Sequence, residues 1–167
     1  MDDQERLQRS RLPAIAAFLL AITALLMPWW GVSYDDGTTV DRTSVHAFHA
    51  IPGLTTAWGP LLSGILAAIA VLVLLVRLAA HSQKHEPDRW RRDLWVATGL
   101  LATAALVCFL WPSGVPSFWG GRTYSLENST SPAVVETAMP MIGWWLCLLA
   151  GALTALAARM SRPTTDK

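Results

Sequence analysis

The chain has 167 residues, a length that suits one domain, with 53% hydrophobic residues, 15% charged residues and a formal net charge of +1. Soluble domains carry about 25% charged residues, so this composition lacks the polar surface that a soluble domain needs. It excludes a soluble enzyme, a nucleic-acid-binding protein with a basic face, and a disordered regulator.

Four long stretches contain no formally charged side chain, and they lie between Arg11 and Asp35, Arg42 and Arg77, Asp93 and Arg122, and Glu136 and Arg159. At about 1.5 Å per helical residue, each stretch can cross the ~30 Å hydrocarbon core of a bilayer. None shows the alternation of a membrane β-barrel. The sequence therefore predicts an all-α membrane protein, a bundle of four transmembrane helices at 12–30, 57–76, 94–111 and 138–158.

The basic residues predict how these spans are oriented. Of the 13 Lys and Arg residues, only Arg42 and Arg122 lie in the segments 31–56 and 112–137. All the others lie in the segments 1–11, 77–93 and 159–167. Cytoplasmic segments of membrane proteins are enriched in Lys and Arg. We therefore expect a multi-pass membrane protein with both termini cytoplasmic, and with 31–56 and 112–137 as extracytoplasmic loops.

The first extracytoplasmic loop contains a hairpin signal. Residues 31–34 and 38–40 are β-prone and flank Asp35-Asp36-Gly37, a sequence that suits a tight turn. Ser44 is a candidate N-cap for a short helix that runs to His49. In the second loop, 122–126 is a candidate strand, and we expect this loop, as ordered coil, to pair with the hairpin. Together these features predict a small extracytoplasmic β-hairpin and loop cap on the bundle.

Tryptophan is concentrated near the outer ends of the predicted spans. An indole ring favours the headgroup layer, where its N–H lies near water, so plain anchoring is one interpretation. The other is an aromatic surface that binds a lipid, a quinone or a partner helix. The candidate residues of that surface are Trp29, Trp30, Trp58, Trp111, Trp144 and Trp145.

Inside the spans we find no Asp, Glu, Lys, Arg or His, which argues against a proton relay or a charge-coupled transporter. We expect the Thr and Ser side chains to bond to the preceding helical turn. Cys108 and Cys147 read as small buried residues. Small residues at four-residue spacing, such as Gly64 with Ala68, Gly99 with Thr103 and Gly151 with Ala155, favour close helix packing, either inside the bundle or between subunits.

The loops offer little catalytic chemistry. His46 and His49, with Asp35, Asp36 and Asp41 nearby in the chain, are candidate metal ligands, although polar surface is the simpler interpretation. No phosphate-binding loop and no nucleophile motif occurs. We therefore predict no catalytic residues and no cofactor.

Pro28-Trp29-Trp30 at the end of the first span, the β-prone first loop and the basic central loop give the chain a resemblance to small four-span membrane proteins of actinobacteria. The layout is also loosely similar to that of claudin-like proteins, but the loop cysteine pair of claudins is missing. The actinobacterial resemblance implies a plasma-membrane protein that serves as an accessory subunit of a larger envelope or respiratory complex.

Three functional hypotheses follow. The first is a non-enzymatic accessory or scaffold subunit whose partners are the lipid bilayer and other membrane protein subunits. The second is a four-helix protein that binds or transports a lipid or a quinone through the outer tryptophans. The third is an enzyme with an extracytoplasmic site at His46, His49 and the neighbouring Asp residues. None of the three involves nucleic acid.

Overall fold

The computed structural model of the chain describes residues 3–35, 40–46, 58–80, 87–110, 123–124 and 133–161. Within these ranges it contains four helices, α1 (Asp3–Leu26), α2 (Trp58–Ala80), α3 (Pro87–Leu110) and α4 (Ile142–Met160). All four are long and apolar enough to cross a membrane. The predicted four-helix membrane bundle is confirmed at this level.

The described residues also form a four-stranded antiparallel sheet with the strands β1 (Pro28–Asp35), β2 (Val40–His46), β3 (Thr123–Tyr124) and β4 (Ala133–Pro140). The order across the sheet is β2-β1-β4-β3. The sheet lies where α1 ends and α4 begins, and we call this end of the bundle the sheet end. The sheet is thus larger than the predicted hairpin, and its extracytoplasmic position stays a prediction.

Two predicted spans stop short on the sheet side because the chain joins the sheet there. The first helix ends at Leu26, before the predicted limit at Trp30, since Pro28 has no backbone N–H and disfavours helix in the residue before it. The fourth helix begins at Ile142, not at 138. The residues before it, with β-branched Val134, Val135 and Thr137, form β4 and pair with β1.

Other parts of the loop prediction need correction. Ser44 lies in β2 opposite Gly31, so it does not cap a helix. The second loop does pair with β1 as expected, but through residues 134–137 of β4, and the short strand Thr123–Tyr124 pairs with β4 in turn. The turn at Asp36-Gly37 and the remainder of the second loop lie outside the described residues.

The helices follow one another around the bundle in the order α1, α4, α3, α2, and the contact between α1 and α2 is the least extensive of the four. On each helix the buried side chains recur at alternating spacings of three and four residues. This is the heptad pattern of left-handed helix packing, a class in which helices typically cross at about +20°. The positions are Ser10, Ala14, Ala17, Ala21 and Ala24 on α1; Ser63, Ala67, Ala70 and Leu74 on α2; Trp90, Leu94, Ala97, Leu101, Ala104 and Cys108 on α3; and Gly143, Cys147, Ala150, Thr154 and Ala157 on α4.

Most of these inward positions are small, which lets the helix backbones approach closely without a hydrophobic driving force. The outward faces of α1 and α2 instead carry large apolar side chains such as Leu12, Leu19, Ile65, Ile69 and Leu72. A soluble bundle would place polar residues there. The distribution is that of helices packed against each other inside lipid.

Most of the interior polar groups behave as expected. The hydroxyls of Thr23, Thr98 and Thr154 each donate to the carbonyl oxygen four residues earlier, at 2.9, 2.9 and 2.7 Å. Cys108 and Cys147 are buried free thiols. The back-bonding prediction is confirmed for these three threonines but not for Ser63, whose buried hydroxyl has no hydrogen-bond partner among the described residues, and both cysteines are buried as predicted.

Candidate functional site

Trp29 holds the corner at which α1, β1 and α4 meet. Its ring is fully buried, and its indole N–H donates to the carbonyl oxygen of Ala24 at 2.6 Å. The last carbonyls of a helix have no partner within the helix, so this bond satisfies one of them at the end of α1. Trp29 is therefore a structural residue of the corner, and its ring is not accessible on the outside of the chain.

The α4 side of this corner depends on Gly143. A Cβ atom at Gly143 would lie 2.6 Å from Cδ1 of Trp29 and 2.8 Å from the backbone oxygen of Met27. Glycine is therefore the only residue that lets α4 approach so closely. The backbone N–H of Met141 also donates to the carbonyl oxygen of Trp29, at 2.9 Å.

Trp144 and Trp145, which follow Gly143 in α4, have different environments. Trp144 is half-buried, and its indole N–H donates to the carbonyl oxygen of Ala105 in α3 at 2.9 Å. Trp145 is 56% exposed. The ring of Trp145 meets that of Trp144 edge-on, with the ring centroids 4.8 Å apart. The ring centroid of Phe109, in α3, lies 5.9 Å from that of Trp144. We call Phe109, Trp144 and Trp145 the aromatic cluster; its accessible part is Trp145.

The other predicted site residues are placed only in part. Trp30 lies in β1, Trp58 is the first residue of α2, and His46 is the last residue of β2, but their side chains lie outside the described part of the structure. Trp111 and His49 lie outside the described residues altogether. The structure thus brings Trp144 and Trp145 together with Phe109, and the remaining members of the predicted surface stay predictions.

The metal hypothesis receives no support from the described residues, in which no group of three or more His, Cys, Asp or Glu side chains could hold an ion.

At the opposite end of the bundle, two side-chain contacts join different helices. Nε of Arg77, in α2, donates to Oδ2 of Asp93, in α3, and the indole N–H of Trp90 donates to the hydroxyl of Ser10 at 3.2 Å. Sequence reasoning assigned Arg77 and Asp93 to a loop. The helices in fact extend through both, to Ala80 and from Pro87, and only the helix packing brings the two residues together.

A groove of about 300 Å³ runs beside this ion pair between α2 and α3. Its lining is apolar along Leu72, Val73, Val76 and Val96, and it is charged where Arg77 and Asp93 border it. Leu72, Val76 and Val96 are also among the exposed side chains of the bundle. The groove is therefore open on its outer side, which in a membrane is the side that faces lipid.

The outward face of α3 differs from those of α1 and α2. It exposes Gly99, Ala102 and Thr103 in the middle of the helix, where the other two helices expose Leu and Ile. A Cβ atom at Gly99 would meet no atom within 4 Å. The predicted Gly99–Thr103 pair thus lies on the outside of the bundle. Gly151 is instead buried: a Cβ atom at Gly151 would lie 3.6 Å from Cβ of Leu101, so this glycine is part of the internal packing.

Comparison with known proteins adds no relationship: no protein-family model, curated protein or solved structure matches the chain.

Proposed function

We propose that this chain is a non-enzymatic integral membrane protein of the plasma membrane that serves as an accessory or scaffold subunit of a larger membrane or envelope complex. In this proposal both termini lie in the cytoplasm, and other membrane protein subunits bind to the outside of the bundle.

The observation that carries the proposal is the outward face of α3. Small residues at a helix surface let a second helix approach closely and gain dispersion contacts, whereas lipid chains pack equally well on large side chains. The bundle uses small residues on its internal surfaces and large ones outside α1 and α2, so the exposed Gly99, Ala102 and Thr103 follow the internal pattern. That is the arrangement expected of a helix that receives a partner.

The fold itself supports a scaffold role. Among the described residues no charged side chain is buried in the bundle, and the buried hydroxyl of Thr154 donates within its own helix. Transfer of ions or protons across a membrane requires ionisable groups at membrane depth. The useful surfaces of this protein are therefore external: the α3 face and, at the sheet end, Trp145.

The test is to purify the full chain from its native membrane in mild detergent and to identify the co-purifying proteins and lipids by mass spectrometry. Gly99→Leu adds a large side chain to the α3 face at a position where nothing lies within 4 Å of the added Cβ. We expect it to lose partner subunits while the chain folds normally. Ala152→Leu, on the exposed face of α4, is the matched control and should retain them. Full retention of partners in Gly99→Leu would refute this assignment of the face.

The second candidate is binding of a lipid or quinone at the aromatic cluster, which the exposure of Trp145 beside the Trp144 ring favours. Trp145→Phe retains apolar area and loses the indole N–H. We expect this variant to lose bound lipid or quinone but keep partner proteins if the second candidate is right. Loss of partners with unchanged lipid content would instead place a subunit contact at Trp145.

A further inference from the structure

The groove between α2 and α3 combines an apolar wall with a positively charged end. These two features complement the apolar acyl chain and the negatively charged headgroup of an anionic phospholipid. Its apolar lining lies on the part of α2 that precedes Arg77 and on α3 beyond Asp93. Since Arg77 ends the charge-free stretch of α2, the polar end of the groove lies where the bundle leaves the hydrocarbon layer. An acyl chain along Leu72, Val76 and Val96 would place its headgroup beside Arg77.

The charge at this end is positive in spite of Asp93. The carboxylate of Asp93 contacts two guanidinium groups, through Oδ2 to Arg77 and through Oδ1 to Nε of Arg92 at 3.4 Å. The described residues at this end of α2 and α3 comprise four arginines, Arg77, Arg89, Arg91 and Arg92, against two aspartates, Asp88 and Asp93. Arg77 and Arg92 together with Asp93 therefore leave a net charge of +1 at the polar end of the groove.

Arg77 retains donors for an anionic ligand. A guanidinium group has five N–H donors in a planar fork, and Asp93 occupies the one at Nε. Among the described residues no other hydrogen bond of Arg77 is formed. The remaining fork matches the geometry of two phosphate oxygens, which arginine binds in a bidentate manner. The contact to Asp93 then orients the guanidinium group in the groove.

From these observations we propose that the α2–α3 groove is a binding site for an anionic phospholipid, with the phosphate on Arg77 and one acyl chain along Leu72, Val76 and Val96. The lipid comes from the leaflet at the end opposite the sheet, which the distribution of basic residues predicts to be the cytoplasmic one. Basic pockets between transmembrane helices on that side are known to select anionic headgroups. The groove lining includes neither the aromatic cluster nor Gly99, Ala102 and Thr103, and the proposal does not depend on the accessory role.

The experiment measures lipid retention by native mass spectrometry, after the full chain has been incubated in detergent with equal amounts of phosphatidylglycerol and phosphatidylcholine. The unmodified chain should prefer phosphatidylglycerol. Arg77→Gln should reduce that preference about tenfold, which corresponds to the loss of a charge-assisted hydrogen bond. Arg159→Gln removes an exposed arginine from the last turn of α4 and is the matched control; it should leave the preference unchanged.

Asp93→Asn separates lipid binding from a purely structural ion pair. It breaks the same contact as Arg77→Gln but leaves Arg77 charged, so we expect the preference for phosphatidylglycerol to be kept or increased. Val96→Phe fills the half-exposed groove without altering charge and should weaken retention of phosphatidylglycerol. This variant tests the site even if Arg77→Gln does not fold.

Four results of the lipid-retention measurements would overturn the proposal. These are an absent headgroup preference in the unmodified chain, equal loss in Asp93→Asn and Arg77→Gln, equal loss in Arg159→Gln, and retention that is unaffected by Val96→Phe. Inorganic phosphate should not compete at millimolar concentration. Competition by phosphate alone would identify a site for a free anion and contradict a lipid site.

Discussion

At the scale of single residues, Trp29 and Gly143 show how a buried indole determines the identity of its neighbour. The ring of Trp29 fills the space that any side chain at Gly143 would need. Two of the three atoms nearest to the missing Cβ are backbone oxygens, of Met27 and Pro28, and these cannot move without shifting the start of β1. The corner therefore does not tolerate a side chain at position 143.

We expect Gly143→Ala to destabilise the protein by about 1–3 kcal/mol, the usual range for overpacking of a closely packed site. Thermal unfolding in detergent, followed by circular dichroism, measures the effect. Gly99→Ala is the control; it adds the same methyl group to open space in α3 and should be neutral or stabilising by about 0.5–1 kcal/mol through helix propensity. Equal effects of the two substitutions would contradict the close approach at Gly143.

At the scale of elements, the heptad spacing of small residues distinguishes two faces of each helix. On α4 the inward positions include Gly143, Cys147, Ala150 and Thr154, all buried. The outward positions include Trp145, Leu149 and Leu156. Close backbone packing follows from the small inward residues, and lipid contact from the large outward ones.

Ala150→Leu should accordingly destabilise the bundle by about 1–3 kcal/mol or more, because three added carbon atoms have no room between closely packed helices. Ala152→Leu, two residues further along the same helix, points outward and should be close to neutral. The measurement is again thermal unfolding in detergent. A destabilising Ala152→Leu with a neutral Ala150→Leu would mean that the faces of α4 are reversed.

At the scale of the whole molecule, the placement of the basic residues predicts one orientation. Reporter fusions at Lys84 and Lys167 should read cytoplasmic, and fusions at Thr39 and Asn128 should read external, because Lys and Arg are retained on the cytoplasmic side during insertion. Alkaline phosphatase and green fluorescent protein fusions at these positions provide the readout. A cytoplasmic signal at Thr39 would invert the topology and place the four-stranded sheet inside the cell.

The existence and approximate position of the four helices could be predicted from the sequence, because crossing hydrocarbon imposes a local requirement: about 20 successive residues without charge. The back-bonded hydroxyls were equally predictable, since Thr154 finds its acceptor within its own helix. The extent of the sheet was not. Strand β4 reads as loop and span in the sequence, and its pairing with β1 depends on residues about a hundred positions away.

Only the tertiary structure decided what the individual tryptophans and charges do. Trp29 and Trp145 look alike in the sequence, each at the outer end of an apolar run, yet one is buried on Gly143 and the other is exposed. The sequence predicted Arg77 and Asp93 as charged loop residues, whereas in the structure they form an ion pair beside a groove. Composition determines whether a segment prefers lipid to water, a property that adds up residue by residue. Which side chains meet depends on how the helices are rotated and how closely they approach, and these follow from the packing of all four helices together.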